Sequence, residues 1–492
     1  MPYAITQLCC TDASCVAACP VNCIHPTPDE PDFGTTDMLY VDPRTCIDCG
    51  ACAEACPVDA VLPVETLTGP LADHPAINAE YFAGTEPAAP AEGSPLFHDW
   101  GPVRFDRVLP ADFPRLDVAV VGSGPAGMYT VQDLLLHTTA RVTLYDRLPV
   151  TGGLVRFGVA PDHADTKRIG DSFARYLDHH RLRLRLGTEV GRDVDAGELA
   201  ARHDAVIYAV GAPTSRTLGV PGEDLAGHLP STTVVGWYNG HPEIAADAVP
   251  LDTERVAAVG TGNVALDIAR ILAADPDRLA GSAIAPGALE RLRASLVREV
   301  VLLGRRGPEH AAYTRGELHA LLRRDDLEVV VDDHDPRVGE AIDAAAPGEH
   351  AALLQGVPRS SEVPAGPRRR VVLRFHAPIE ALLGDERVTA VRAGGVDLPA
   401  GLVVRAIGHR GRPTAGLPYA EETGTIPHHA GRVDGRPGTY VVGWIKRGPG
   451  GGIGRNRRDA AETVASLIED GKYGVIGARP RRGGLLRRLT SM

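Results

Sequence analysis

All nine cysteines of this 492-residue chain fall between Cys9 and Cys56, and none follows. Chemistry that needs sulfur is therefore confined to a short N-terminal stretch, and everything after Cys56 must fold and work without thiols. The spacings define that chemistry. Cys46, Cys49, Cys52 and Cys56 are separated by two, two and three residues, with Pro57 next. This is an iron–sulfur ruler, in which three closely spaced thiolates grip one cluster and the fourth, just before proline, reaches a second. An earlier run of Cys9, Asp12, Cys15, Cys19 and Pro20 repeats the ruler with an aspartate at its second mark.

Other sulfur chemistries fit less well. A disulfide framework suits a small secreted domain, but the opening MPYAITQLCC has neither the basic start nor the apolar core of a secretory leader. Structural zinc ordinarily separates its ligand pairs by longer gaps. The crossed-ligand rule then places Cys19, Cys46, Cys49 and Cys52 around one 4Fe–4S cluster. Cys9, Cys15 and Cys56 hold a second cluster, where two outcomes stay open: Asp12 ligates a fourth iron, or that iron is absent and the cluster is 3Fe–4S. Carboxylate is a harder ligand than thiolate, so such an iron is expected to be labile. Cys10 and Cys23 are left over and are expected as small buried apolar residues, Cys10 pointing away from its neighbour.

The charge is unevenly spread. Residues 1–66 carry ten acids against the single base Arg44, so most of the net charge of −12 resides there. This argues against nucleic acid as a partner and fits a module that docks on a basic surface. No apolar run approaches membrane-spanning length, so no membrane insertion is expected. Oxidisable clusters without a leader predict a cytoplasmic protein, and a monomer is expected.

From 67 to 114 the composition turns to Ala, Pro, Gly and His without lasting periodicity, which reads as a linker partly tacked down by Tyr81, Phe82, Phe97 and Trp100. Beyond it, the short β-branched run Asp117–Val121 leads into Gly122-Ser123-Gly124-Pro125-Ala126-Gly127. A helical stretch and a second strand ending at Asp146 follow. Strand, glycines, helix, strand and acid form a dinucleotide-binding fingerprint, with Asp146 placed for a ribose hydroxyl. A second fingerprint starts at Arg255–Val259 with Gly260-Thr261-Gly262-Asn263-Val264-Ala265. Its next strong strand, Glu299–Leu303, ends in Gly304-Arg305-Arg306-Gly307 rather than an acid. Two guanidinium groups at that place suit a 2′-phosphate, which selects NADP over NAD. The chain is then expected to return to the first site through strands at 402–407 and 439–443. Next comes the glycine-rich loop Gly448-Pro449-Gly450-Gly451-Gly452-Ile453-Gly454 before a helix. The basic C-terminal segment is read as mostly disordered.

At these residues the sequence resembles a known family. The fingerprint at 122–127, the stretch from Gly152 to His163 (GGLVRFGVAPDH), Gly262 to Asp267 (GNVALD), Arg305 to Pro308 (RRGP) and Gly443 to Pro449 (GWIKRGP) are similar to ferredoxin–NADP reductases of the adrenodoxin-reductase type. With the cysteine module, the chain resembles the fused ferredoxin/ferredoxin–NADP reductases of actinobacteria over residues 1–475. The fold expected is an α+β bacterial ferredoxin-like module followed by an α/β flavoprotein with two Rossmann-like domains. Its boundaries are 1–66 for the iron–sulfur domain, 67–114 for the linker, 115–215 with 405–492 for FAD, and 216–404 for NADP. The resemblance implies FAD contacts at Gly122, Gly124, Ala126, Gly127, Asp146, Leu154, Val190, Trp444, Gly451, Gly452 and Ile453. It implies NADP contacts at Arg216, Thr261, Gly262, Asn263, Val264, Arg305, Arg306, Glu317 and Gly451, and His163 as the polar group beside the flavin.

The activity this implies is NADPH oxidation with the two electrons of a hydride delivered singly to iron–sulfur centres, then to a separate ferredoxin or a haem monooxygenase. An electron-donating subunit of a larger NADPH-dependent synthase and a redox-sensing module that no longer turns over remain alternatives. A disulfide reductase on the same folds is excluded, because it needs a cysteine pair beside the flavin and no cysteine follows Cys56.

Overall fold

The computed structural model describes residues 3–85, 109–346, 349–360 and 369–477. The cysteine-bearing module is built on an internal repeat. Two short helices, Ser14–Ala18 and Ala51–Ala55, each follow a residue in the left-handed region, Ala13 at φ 62° and Gly50 at φ 74°, and each ends at a cysteine before proline, Cys19 or Cys56. Further left-handed residues occur at the same offset: Thr11 matches Asp48, and Asn22 matches Asp59. The repeat therefore extends from the ligand spacing to the backbone. Each half must curl its chain sharply around a cluster, and left-handed residues supply that curl. Two antiparallel ribbons, Tyr3–Ile5 with Val61–Pro63 and Ile24–His25 with Tyr40–Val41, close the unit.

The module does not end at residue 66. The helix His74–Tyr81, in a stretch whose composition reads as linker, docks on both ribbons. Asn78, 2% exposed, accepts from the amides of Ile5 at 3.0 Å and Val41 at 2.8 Å, and its own amide donates to the Ile5 carbonyl at 2.8 Å. One side-chain amide thus serves as a strand partner for two ribbons that do not pair with each other. His74 is fully buried, accepts from the Gln7 amide at Nε2 and faces the Leu71 carbonyl with Nδ1. Tyr81 stacks on Tyr40 with ring centroids 4.3 Å apart, and Phe82 is buried beside it. Composition conceals this because the anchoring groups are single polar side chains, not an apolar period. Residues 86–108 of the expected linker, with Phe97 and Trp100, and the basic C-terminal segment lie outside the described residues.

The first dinucleotide fold has a seven-stranded sheet. Its order is His428–His429, Arg432–Val433, Thr439–Val441, Ala205–Tyr208, Asp117–Val121, Arg141–Asp146 and Leu182–Leu186. The five strands from Thr439–Val441 to Leu182–Leu186 run parallel. Helix Pro125–His137 packs against the long helix Arg455–Lys472. The second fold is a six-stranded parallel sheet ordered His228–Pro230, Leu402–Arg405, Arg255–Val259, Glu299–Leu303, Arg369–Arg374 and Leu327–Val331. Leu402–Arg405, expected from sequence to lead back into the first fold, instead lies inside the second sheet between His228–Pro230 and Arg255–Val259. A run of buried β-branched and aliphatic residues does not reveal which of two parallel sheets it joins. The chain crosses between the folds through Thr214–Ser215 and His409–Arg410, which pair antiparallel.

Two stability consequences follow. Replacing Asn78 by Ala strands two buried amides and should cost about 3 kcal/mol, read as a lower thermal midpoint of the module. Burial pushes His74 down to about 4. Its folded pKa lies below its unfolded value, so its contribution is present above about pH 6.5 and lost as pH falls toward 4. Amide protection factors in residues 74–81 should therefore fall as pH drops across that window, and His74→Gln should flatten the dependence.

Candidate redox site

The thiols sort into two groups. Cys9, Cys15 and Cys56 lie close enough to raise one another's thiols, with burial the main cause; Cys9 is pushed up to about 12. Cys19, Cys46, Cys49 and Cys52 form the second group. Cys23 is buried, as expected, and in addition its sulfur lies 3.4 Å from that of Cys19 and hydrogen-bonds Cys46. That contact pulls both Cys19 and Cys46 down to about 6. Cys23 is thus buried beside two cysteines expected as ligands and favours their thiolate form, a role that spacing does not encode. All nine cysteines are free thiols. Cys10 is buried, as expected, and acts through its carbonyl, which accepts from the Gly454 amide at 2.7 Å.

Asp12 lies close enough to Cys9, Cys15 and Cys56 to raise all three thiols, and its carboxylate also has protein partners. Its side chain is 7% exposed; Oδ2 accepts from Ser14 Oγ at 2.5 Å and from Arg457 at 3.1 Å, while Oδ1 accepts from the Ser14 amide. Arg457 belongs to the helix that follows the glycine-rich loop. Other acids of the module meet arginines of the reductase-like half in the same way: Asp59 with Arg168 at 2.7 Å, Asp73 with Arg323, and Glu80 with Arg315, whose amide also donates to Asp37. The basic docking surface anticipated from the charge imbalance lies within the same chain.

The first glycine loop is shaped by backbone contact. A Cβ on Gly122, at φ 106°, would lie 2.4 Å from the Ala209 carbonyl, and one on Gly127 would lie 1.8 Å from that of Gly122. Gly153, at φ 49°, fits against Gly124, where a Cβ would come within 2.6 Å of the Gly124 Cα. Gly124 caps the helix Pro125–His137, leaving an amide-rich N-terminus. Leu154 is 46% exposed beside it. Asp146 ends its strand as expected, and its carboxylate also holds the loop, accepting from the Ser123 amide at 2.7 Å and the Leu148 amide at 2.9 Å. Val190 packs in the cluster beneath, with Val121 and Tyr145.

Opposite lies the stretch from Trp444 to Gly454. Gly443 lets it abut Ala126, because a Cβ would lie 2.6 Å from that of Ala126. Lys446 is buried and turns underneath to Asp459, Glu462 and Thr463, while the second Asp459 oxygen accepts from the Gly443 amide. Trp444 stacks on His409 with centroids 5.8 Å apart. Gly451 and Gly452 are exposed and Ile453 half-buried.

In the second fold, Gly260 at φ 130° abuts the Ala406 carbonyl and Gly262 caps helix Asn263–Ala273. Asn263 accepts from the Thr314 amide at 2.7 Å, and Thr261 bonds Ala312; Val264 packs on the core beside them. Arg305 and Arg306 are exposed past the strand end, and Arg216 is exposed at the crossing. Glu317 lies apart from the two arginines: its Oε2 is 3.7 Å from Nε2 of His163. Arg270, 6% exposed, joins this pair to Asp162 and Asp267, donating to His163 Nε2 at 3.0 Å and Asp267 at 2.5 Å. Because a guanidinium only donates, Nε2 is the acceptor and the His163 proton sits on Nδ1. Burial pushes Asp267 up to about 7. The cation of this cluster is Arg270, which sequence reasoning overlooked because it falls mid-helix with no motif.

The sequence matches a family described as pyridine nucleotide-disulphide oxidoreductase over residues 116–306 and a 4Fe-4S dicluster domain over residues 8–60. It is 44% identical, over 96% of this chain and 84% of the relative, to a probable ferredoxin/ferredoxin–NADP reductase of Mycobacterium tuberculosis. The chain belongs to the ferredoxin/ferredoxin–NADP reductase family. Within that family's wider kin it is 37% identical to human mitochondrial NADPH:adrenodoxin oxidoreductase, over 74% of this chain and 81% of the relative. The structure of Mycobacterium tuberculosis FprA in complex with NADPH superimposes with a TM-score of 0.68 at 40% identity, covering 74% of this chain and 87% of FprA. Among the described residues, no helix is long and apolar enough to cross a membrane. The Gly124–Gly153 contact gives a direct check on the reductase half. Gly153→Ala drives a methyl into backbone, and the purified variant should retain about a tenth or less of its flavin, measured by absorbance against protein.

Proposed function

We propose that the chain oxidises NADPH and passes the electrons singly into its own iron–sulfur module and on to a separate ferredoxin or a haem monooxygenase. The observation that carries this reading is the seat of the module, whose cysteine loop hydrogen-bonds the glycine-rich loop at Cys10 and Gly454. The two glycine turns, closed by backbone contacts that leave no room for a Cβ at Gly122, Gly127 and Gly260, fit dinucleotides, and the two groups of free thiols fit iron–sulfur clusters. The names of the curated relatives and the FprA–NADPH complex support the same assignment. Bound FAD supplies the conversion of a two-electron donor into one-electron transfers.

In this reading the residues bind and orient. The helix start at Gly124, with Gly122, Ala126 and Gly127, takes the FAD pyrophosphate. Asp146 takes the ribose, and Leu154, Val190, Trp444 and the segment from Gly451 to Ile453 flank the ring. Thr261, Gly262, Asn263 and Val264 hold the NADP pyrophosphate, with Arg216 and Gly451 flanking the nucleotide. Arg305 and Arg306 grip the 2′-phosphate, because planar guanidinium groups match a dianion where an acid would repel it. Arg270 fixes the His163 tautomer beside Glu317, so that a proton is held at Nδ1. A monomeric, cytoplasmic protein belongs to the same reading.

Anaerobic NADPH should bleach the flavin absorbance of the holoprotein while NADH does so far more slowly; absence of bleaching by NADPH overturns the proposal. Replacing Arg305 and Arg306 together by Ser should raise KM for NADPH about a hundredfold and leave that for NADH nearly unchanged. Equal effects on both would remove the 2′-phosphate assignment.

A further inference from the structure

The contacts between module and reductase half are distributed unequally between the two cysteine groups. Several residues near Cys9, Cys15 and Cys56 meet the reductase half. The Cys10 carbonyl accepts from Gly454, and a Cβ on Gly452 would lie 3.2 Å from that same oxygen. Asp12 is held by Arg457. Asp37, two residues before the Leu39 amide that approaches the Cys9 sulfur at 3.5 Å, accepts from Arg315. Asp59, three residues past Cys56, pairs with Arg168. In the Cys19, Cys46, Cys49 and Cys52 group, Cys19 and Cys52 are buried, but one edge is open to solvent. Cys49 is exposed with the reductase half in place, and Ile47 beside it is 58% exposed.

We infer that the two iron–sulfur sites work in a fixed order: the three-cysteine site receives electrons from the flavin loop, and the four-cysteine site releases them at the surface around Cys49. In this arrangement Asp12 is the latch that clamps the receiving site to the reductase half and is not an iron ligand. Its oxygens accept from Ser14 and Arg457, and turning it toward iron would break the charge-assisted bond that ties it to the reductase half. The electron balance is simple. One NADPH yields NADP, one proton and two electrons; each oxidised site accepts one electron, and an external one-electron oxidant restores each in turn through the Cys49 face.

This order rests on the reductase reading, and the test separates the two. The full-length holoprotein is mixed anaerobically with less than one equivalent of NADPH and freeze-quenched for electron paramagnetic resonance, with flavin absorbance followed in parallel. The three-cysteine site should change first, with the four-cysteine site following at a rate slower by about fivefold or more. If the flavin bleaches but the four-cysteine site changes first, or both change together, the order is overturned; if the flavin does not bleach, the reductase reading itself falls. Iron content supplies a second readout that does not depend on turnover. Asp12→Ala should keep the native iron-to-protein ratio, while Arg457→Ala should slow reduction of the first site about tenfold with flavin bleaching unchanged. Loss of iron in Asp12→Ala, or a native rate in Arg457→Ala, overturns the latch.

Discussion

The structure depends on one close approach: two irregular loops, one rich in cysteine and the other in glycine, meeting through backbone. A hydrogen bond from Gly454 to the Cys10 carbonyl leaves no room for a side chain at Gly454, since a Cβ there would lie 2.3 Å from the Asp12 amide nitrogen. Backbone contact of this kind is short and rigid, and it leaves little room for water. The arginine–acid pairs around it then act as a frame. Singly, exposed pairs contribute little. Arranged around a backbone junction, they fix the orientation of the module, which matters for a device whose parts exchange electrons and not atoms.

Beneath that junction, buried charge sets the geometry of the reductase half. Lys446 folds under its loop onto Asp459, and Asp459 in turn holds the Gly443 amide, so the loop that faces the module is braced from behind. Removing one partner of such a buried pair strands the other's charge, which costs far more than the pair contributes. Arg270 has the equivalent place between the two folds, joining Asp162 and His163 of the first to Asp267 of the second. Arg270 bridges segments distant in sequence, and Lys446 ties its loop to the helix that follows. That explains why a chain with only three lysines buries one of them.

Much of this was legible beforehand, and the reason is local. Cysteine spacing, glycines at a strand-to-helix turn and paired arginines after a strand are constraints set within a few residues, so they can be read without the fold. The glycines at 122, 127 and 153 each prove necessary for a close backbone approach that the motif implies but does not display. What stayed hidden was set by distant partners. The helix at 74–81 owes its place to Asn78 and two ribbon amides, the strand at Leu402–Arg405 to a choice between two sheets, and the position of Asp12 to an arginine some 445 residues away. Cys23 belongs with these, since only the folded chain brings it against Cys19 and Cys46.

The internal repeat of the module carries a broader consequence. A duplicated unit begins with two equivalent halves, and as long as both hold a cluster in the same manner neither is committed to a side. Here the backbone has stayed duplicated, with left-handed residues at matching places, while the side chains at one pair of matching positions have diverged into Asp12 and Cys49. Symmetry of scaffold with asymmetry of substituents is how a duplicated protein divides labour without inventing a new fold. One half is freed to become a joint, and the other keeps its face to the solvent.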